Sequence, residues 1–122
     1  MKSILLSVGI SFSLFCAAQS KEVSKLLPGK YETFSKEKQS KWDRGDIMLI
    51  DENTYKISTD KEVGEYKFSV TAQRIFFISG PLKNVYAKTF LNNNAPVIIL
   101  PVSENEEHGL KLSTEIWCYY KH

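Results

Sequence analysis

The sequence predicts an all-β protein, a small antiparallel meander that closes into a barrel of about eight strands. After Pro28, aromatic and β-branched residues come in short runs, with turn residues between them at a spacing of about ten residues. No stretch beyond Pro28 has the length and periodicity of a helix, which argues against alternating strands and helices. Sequential strands usually pair, and closure removes exposed sheet edges, so a closed meander is the expected arrangement.

The first 18 of the 122 residues have the pattern of a secretory signal peptide. Lys2 gives a positive start, Ile4 to Phe15 is apolar, and small residues precede a cleavage site before Gln19. The apolar run is shorter than the roughly 20 residues of a membrane-spanning helix. We therefore expect an exported protein, periplasmic or extracellular, with no membrane span in the mature chain. The alternative is a protein anchored by a lipid on Cys16, although Phe15 fits a lipidation signal poorly.

Residues 19–29 are expected to form a leader or a short helix. Val23, Leu26 and Leu27 have the spacing of one helical face, and Pro28-Gly29 ends the segment. If helical, this face could cover one end of the barrel. Residues 30–122 then form a single barrel domain.

Eight segments within that domain have strand character. Tyr66 and Phe68 alternate with charged residues, as in a strand with one buried face, and Val97 to Leu100 is apolar throughout, as in a strand buried on both faces. Asp51-Glu52-Asn53 has the composition of a tight turn. The predicted strands are 30–35, 46–50, 54–59, 64–69, 74–79, 85–91, 97–100 and 114–121.

The order of these motifs resembles a group of small, uncharacterised exported bacterial proteins with the pattern GxY … GxY … IxFxSGPL … C. The matching residues here are Gly29-x-Tyr31, Gly64-x-Tyr66, the run Ile75 to Leu82 and Cys118. The likeness covers most of the mature chain, is most specific in the Ser-Gly-Pro-Leu stretch, and extends loosely to lipocalin-like domains. It implies a barrel fold and an exported location, and it implies no catalytic residue.

The same resemblance bears on Cys118. Members of the group often carry a cysteine near the position of Thr33, which the resemblance implies would pair with the late cysteine. Thr33 cannot do so. Because Cys16 is expected to leave with the signal peptide, Cys118 is expected to be a free thiol, with a buried thiol, an intermolecular disulfide and a reactive group as the alternatives.

Charge and motifs exclude several functions. The chain has 16 basic and 14 acidic residues, and the loss of Lys2 would leave a net charge of +1, which gives no indication of nucleic-acid binding. His108 lies near Glu104, Glu106 and Glu107, but this cluster lacks metal-ligand spacing and is predicted to be a solvated acidic loop. No hydrolase, metalloprotease or nucleotide-binding motif occurs. We therefore expect no catalytic residue, no metal and no cofactor.

This reasoning predicts a non-catalytic binding module for a protein, a glycan or a small apolar ligand. Its site would be the barrel end formed by the charged loop Lys36 to Gly45, with Trp42, Lys41 and Arg44 as contact residues. Trp42 could be exposed to a partner, or it could fold back and cap the barrel mouth. The alternative function is a structural or enzyme-inhibitory envelope protein with a filled core and no small-molecule ligand.

Overall fold

Nine β-strands make up the regular secondary structure of residues 22–103 and 111–121, which are the residues that the computed structural model describes. No helix occurs among them. The strands are β1 (Gly29–Ser35), β2 (Ser40–Lys41), β3 (Ile47–Leu49), β4 (Thr54–Ile57), β5 (Val63–Ser69), β6 (Arg74–Phe77), β7 (Tyr86–Asn92), β8 (Ala95–Leu100) and β9 (Ile116–Tyr120). The all-β prediction is confirmed, and each of the eight predicted segments contains or overlaps an observed strand. The short strand β2 lies in the segment that was expected to be a loop.

The sheet is a closed antiparallel barrel of eight strands in sequential order. From β3 to β9 each strand pairs with the next, and β1 pairs with both β3 and β9. The first half of β1 runs beside β3, and its second half, from Tyr31 to Ser35, runs beside β9. Strand β2 pairs with the end of β1 and lies outside the ring. Closure by β1 and β9 confirms the predicted meander.

Inward side chains of all eight barrel strands form one hydrophobic core. Strand β5 alternates as predicted, with Tyr66 buried and its neighbours Glu65 and Lys67 exposed, and every residue of β8 is buried. Tyr55 and Phe77 pack edge to face, with ring centroids 4.8 Å apart, although their strands are separated by β5. They meet because Gly64, on the intervening strand, has no side chain there: a Cβ atom would lie 2.6 Å from the Tyr55 ring. The barrel interior is thus filled by side chains.

The leader covers one end of the barrel without forming a helix in its described part. Of the leader or short helix expected from the sequence, residues 22–28 form a leader without a helix: Val23 and Leu26 are buried in the core, while Leu27 is 36 % exposed. The leader is not helical because its backbone has hydrogen-bond partners elsewhere in the protein. The Gln73 side chain accepts a hydrogen bond from the Val23 amide (2.7 Å) and donates one to the Val23 carbonyl (2.8 Å). Two side-chain bonds therefore hold the leader in place where a helix would use its own backbone.

Candidate functional site

The end of the barrel opposite the leader carries an open cleft of about 370 Å³, which we call the rim cleft. It lies where β1 ends and β9 begins, beside β2 and the segment that leads into β9. Its lining is mainly polar, with three lysines, one aspartate and four hydroxyl side chains. The lining residues are Ser35, Lys38, Ser40, Lys41, Trp42, Asp43, Lys111, Leu112, Ser113, Thr114 and Ile116.

Ser35 is the innermost polar residue of the rim cleft. It is 3 % exposed, and its hydroxyl is buried without a hydrogen-bond partner among the residues that the structure describes. The register of the sheet places Ser40 on one side of it and Ile116 on the other. Leaving a buried hydroxyl unpaired costs about 1–3 kcal/mol, so Ser35 is a weak point in the packing beneath the rim cleft.

Trp42 forms the apolar part of the rim-cleft lining together with Leu112 and Ile116, and all three belong to the core. It is 8 % exposed, so it is not an exposed loop residue; of the two arrangements considered from the sequence, the structure has the one in which the loop folds back over the barrel mouth. Backbone hydrogen bonds from the Trp42 amide to the Thr33 carbonyl (3.5 Å) and from the Gly45 amide to the Trp42 carbonyl (3.2 Å) hold it there.

Beside the cleft, Asp46 is a buried carboxylate that organises the loop. It is 4 % exposed and accepts hydrogen bonds from the Thr33 amide (3.2 Å) and from the Lys41 ammonium. Lys30 completes the group at 3.4 Å. Burial by itself would raise the pKa of Asp46, but the bonds from Lys41 and Thr33 and the charge of Lys41 outweigh it and hold the pKa below its usual value. Asp46 is therefore an anion that fixes the position of Lys41.

The charges that face the cleft are unequally balanced. Lys41 is neutralised by Asp46, whereas Lys38 and Lys111 form no ion pair with any carboxylate of the described residues. Asp43 is the single acidic side chain among the described residues of the lining. An excess of positive charge beside a partly enclosed, hydroxyl-lined space favours the approach of an anion.

The structure brings together only part of the site expected from the sequence. Lys41 and Trp42 line the rim cleft, but Arg44 does not. The Arg44 guanidinium pairs with Asp60 at 3.2 Å and lies 6.0 Å from the centre of the Trp42 ring. Arg44 thus braces the loop from outside the cleft.

Sequence reasoning missed Ser35, Lys38 and Lys111 as lining residues. Lys38 was visible within the charged loop, whereas nothing in the sequence marks Ser35, whose importance depends on its being inward-facing and unpaired. Lys111 reaches the cleft through the pairing of Ser103 with Leu112, which a single sequence does not reveal.

Cys118 is a fully buried thiol on β9, far from being a surface group. Burial raises the pKa of the Cys118 thiol well above its ordinary value.

His108 and its neighbouring acidic residues lie outside the described residues. Within the described residues, no cluster of three or more histidine, cysteine, aspartate or glutamate side chains could hold a metal ion.

Known proteins give no further guide to the site. Comparisons with protein-family models, with curated proteins and with solved structures found no match to this chain. The described residues contain no helix with the length and apolar character needed to cross a membrane.

Proposed function

We propose that this protein is a non-catalytic binding module and that the rim cleft is its binding site. One observation carries the proposal: a cleft of about 370 Å³ lies at the mouth of the barrel, while the barrel interior is filled. Ligand sites in proteins commonly have volumes of about 300–1,000 Å³ and contain a few polar groups that fix orientation. The ligand would therefore bind at the mouth of the barrel and not within it.

In this proposal Trp42 supplies an apolar wall and Lys41 supplies a charge fixed by Asp46. The sequence left open a protein, a glycan or a small apolar ligand, and the mainly polar lining supports a polar ligand over a small apolar one. Truncation of Trp42 is not a clean test, because a buried tryptophan replaced by alanine costs about 3–5 kcal/mol of stability. A variant that fills the cleft from its exposed side tests the site without disturbing the core.

The experiment compares native and denaturing mass spectra of the protein recovered from a producing cell. Additional mass in the native spectrum alone is expected for a bound ligand. Ser40→Trp should abolish this additional mass, because Ser40 is exposed and lines the cleft. Thr71→Trp is the matched control, since Thr71 is exposed in the turn between β5 and β6 and lines no part of the rim cleft. A bound mass that survives Ser40→Trp would place the ligand elsewhere and refute the proposal.

The filled core supports a second proposal, a structural or enzyme-inhibitory protein without a small-molecule ligand. The barrel exterior carries partly exposed aromatic side chains, among them Phe34, Phe76, Tyr86 and Tyr119, which could contact a protein. Identical native and denatured masses, together with no change on filling the cleft, would favour this second proposal.

Either function is proposed to operate after export. The expectation rests on the apolar run and small residues that precede Gln19. The denatured mass of the envelope protein tests it: a chain of Gln19 to His122 means cleavage to a free protein, and a chain that begins at Cys16 with added acyl groups means a lipid anchor. A mass that includes Met1 would contradict both.

A further inference from the structure

We infer that the barrel end covered by the leader is a peptide-binding site, and that residues 22–28 occupy it as a displaceable, autoinhibitory segment. We call this site the leader mouth; it contains Tyr66, Phe68 and Gln73 and lies opposite the rim cleft. Its ligand is a peptide segment of another protein that carries two apolar side chains three positions apart. The inference is independent of the function proposed for the rim cleft.

The leader is hydrogen-bonded to the barrel through side-chain groups. Among the described residues, no backbone-to-backbone hydrogen bond joins residues 22–28 to the rest of the protein. The Tyr31 hydroxyl donates to the Leu27 carbonyl at 2.7 Å. The Tyr120 hydroxyl donates to the Pro28 carbonyl at 3.4 Å. Each strand of the ring, by contrast, pairs with two neighbours. The leader can therefore leave without breaking the backbone pairing of the barrel, as a bound peptide can.

Gln73 binds the backbone of the leader. Its side-chain oxygen accepts a hydrogen bond from the Val23 amide at 2.7 Å, and its side-chain nitrogen donates one to the Val23 carbonyl at 2.8 Å. The same nitrogen donates to the Val70 carbonyl at 2.7 Å, within its own turn, so the side chain is held in place without the leader. Gln73 also has a φ of +54°, which is uncommon for a residue with a side chain and occurs at sites that hold ligands. Bonds to the main chain, together with pockets for side chains, are the means by which proteins bind peptides of varied sequence.

Two apolar side chains of the leader supply its specific contacts. Val23 and Leu26 are buried in the core, whereas Ser24 and Lys25 between them and Leu27 after them are exposed. The leader thus presents one apolar pair to the barrel, at positions i and i+3. A peptide with the same spacing can place its side chains in the same two positions and remove them from water.

The leader leaves part of the mouth unfilled. An open cleft of about 330 Å³ lies beside Leu26, with the buried ring of Tyr66 and the partly buried ring of Phe68 in its wall. A larger apolar side chain at the position of Leu26 would therefore gain contacts that the leader lacks. This gain matters because a leader attached by a short linker competes at an effective concentration of about the millimolar range.

The experiment measures the binding of a fluorescein-labelled peptide, with the sequence of residues 22–28, to the chain of Gln19 to His122 by fluorescence anisotropy. Val23→Ser combined with Leu26→Ser should withdraw the attached leader, so this double variant should bind the peptide saturably and at least tenfold more tightly than the wild type. Lys25→Ser combined with Leu27→Ser is the matched control, because both side chains are exposed, and it should behave as the wild type. A peptide with serine in place of Val23 and Leu26 should not bind.

Two further measurements distinguish a peptide-binding site from a segment that only completes the fold. A peptide carrying Leu26→Phe should bind the double variant more tightly than the leader sequence does, because of the open cleft beside that position. Adding Gln73→Asn to the double variant should weaken binding of both peptides about tenfold or more. Asparagine tolerates the positive φ, but its shorter side chain cannot make both bonds to the backbone of the peptide. Tightest binding by the leader sequence, or unchanged binding with Gln73→Asn, would overturn the inference.

The wild type decides the question if the double variant does not fold. Unlabelled Leu26→Phe peptide at several millimolar should displace the leader of the isotopically labelled wild type. The amide signals of Val23 and Leu26 should then move towards their positions in the free leader peptide. Signals that stay in place would show that the leader is a fixed part of the core and would refute the site.

Discussion

The hydroxyl of Tyr55 accepts a hydrogen bond from the backbone amide of Leu82 at 2.7 Å and donates one to the Ser79 carbonyl at 2.7 Å. Tyr55 lies on β4, and the other two residues flank Gly80-Pro81 in the turn that follows β6. Gly80 has a φ of +87°, and its Cβ, if present, would lie 2.6 Å from the Cα atom of Gly64. One buried tyrosine thus pins the Ser-Gly-Pro-Leu stretch against β5, which gives this stretch a structural role.

Replacement of Tyr55 by phenylalanine should destabilise the barrel by about 1–3 kcal/mol, because the Leu82 amide and the Ser79 carbonyl would lose their partner in a buried place. Urea denaturation followed by fluorescence measures the change in the free energy of unfolding. Tyr86→Phe is the control, since Tyr86 is 53 % exposed, and it should change stability by less than about 0.5 kcal/mol. Equal urea midpoints for the wild type and Tyr55→Phe would show that the hydrogen bonds of the Tyr55 hydroxyl contribute nothing to stability.

Alkaline pH should weaken the fold through the buried tyrosines. Burial raises the pKa of Tyr55 and of Tyr66 to about 12 and raises the pKa of Tyr31 further. A raised pKa in the folded state means that the fold favours the neutral form of the tyrosine. The stability that these tyrosines contribute is therefore complete below about pH 10, the pKa of a tyrosine in the unfolded chain, and is lost as the pH rises towards 12.

Urea midpoints recorded from neutral pH to about pH 12 test this. Lysines also lose charge in this range, so the Tyr66→Phe variant isolates one tyrosine: the slope of its stability against pH above pH 10 should be shallower than that of the wild type. Identical slopes would mean that the Tyr66 hydroxyl ionises as easily in the folded chain as in the unfolded chain.

The sequence predicted the barrel because its strands obey local rules, as in the alternation of Tyr66 with charged neighbours and the apolar run of β8. It did not predict the rim cleft, because the cleft depends on which strands meet when the ring closes. Ser35 becomes a buried, unpaired group only when β9 runs beside β1. The charged neighbours of Trp42, Lys41 and Asp43, likewise suggest an exposed position. Trp42 nevertheless packs into the core, because Asp46 holds its loop in place.

Asp46→Asn should destabilise the protein by about 1–3 kcal/mol and remove part of its sensitivity to acid. The folded-state pKa of Asp46 lies below its usual value, so its contribution is present above about pH 4 and is lost as the pH falls below that value. The two lysine partners are about half exposed, which keeps the expected cost below that of a fully buried ion pair.

Thermal or urea unfolding between about pH 2 and pH 7 measures this effect. The wild type should be more stable than Asp46→Asn at neutral pH, and this difference in the free energy of unfolding should disappear as the pH falls through 4. Glu32→Gln serves as the control, because the pair between Glu32 and Lys121 is exposed and is expected to contribute little. If the difference in stability between the wild type and Asp46→Asn does not change with pH, Asp46 is not ionised in the folded protein.

Thr33 faces Cys118 directly across the β1–β9 seam that closes the barrel. Hydrogen bonds join Lys36 to Glu115 and Lys121 to Lys30 along the same ladder, so the alternating register makes Thr33 and Cys118 a pair without hydrogen bonds between them. Cα atoms in such pairs lie about 4.5 Å apart, within the range that a disulfide can span. A cysteine at position 33 would therefore lie opposite Cys118.

Thr33→Cys should form a disulfide with Cys118 under oxidising conditions and close the seam covalently. The chain-entropy model gives about 4.6 kcal/mol for so long a loop, less the loss of the hydrogen bond from the Thr33 hydroxyl to the Gly45 carbonyl at 2.6 Å. Intact mass before and after reduction detects the bond, and denaturation with and without reductant measures the gain. Thr89→Cys is the matched control: Thr89 is also buried, but it lies two strands from Cys118, about 10 Å away, and should stay reduced. Alkylation of both thiols in oxidised, denatured Thr33→Cys would show that the two side chains do not meet.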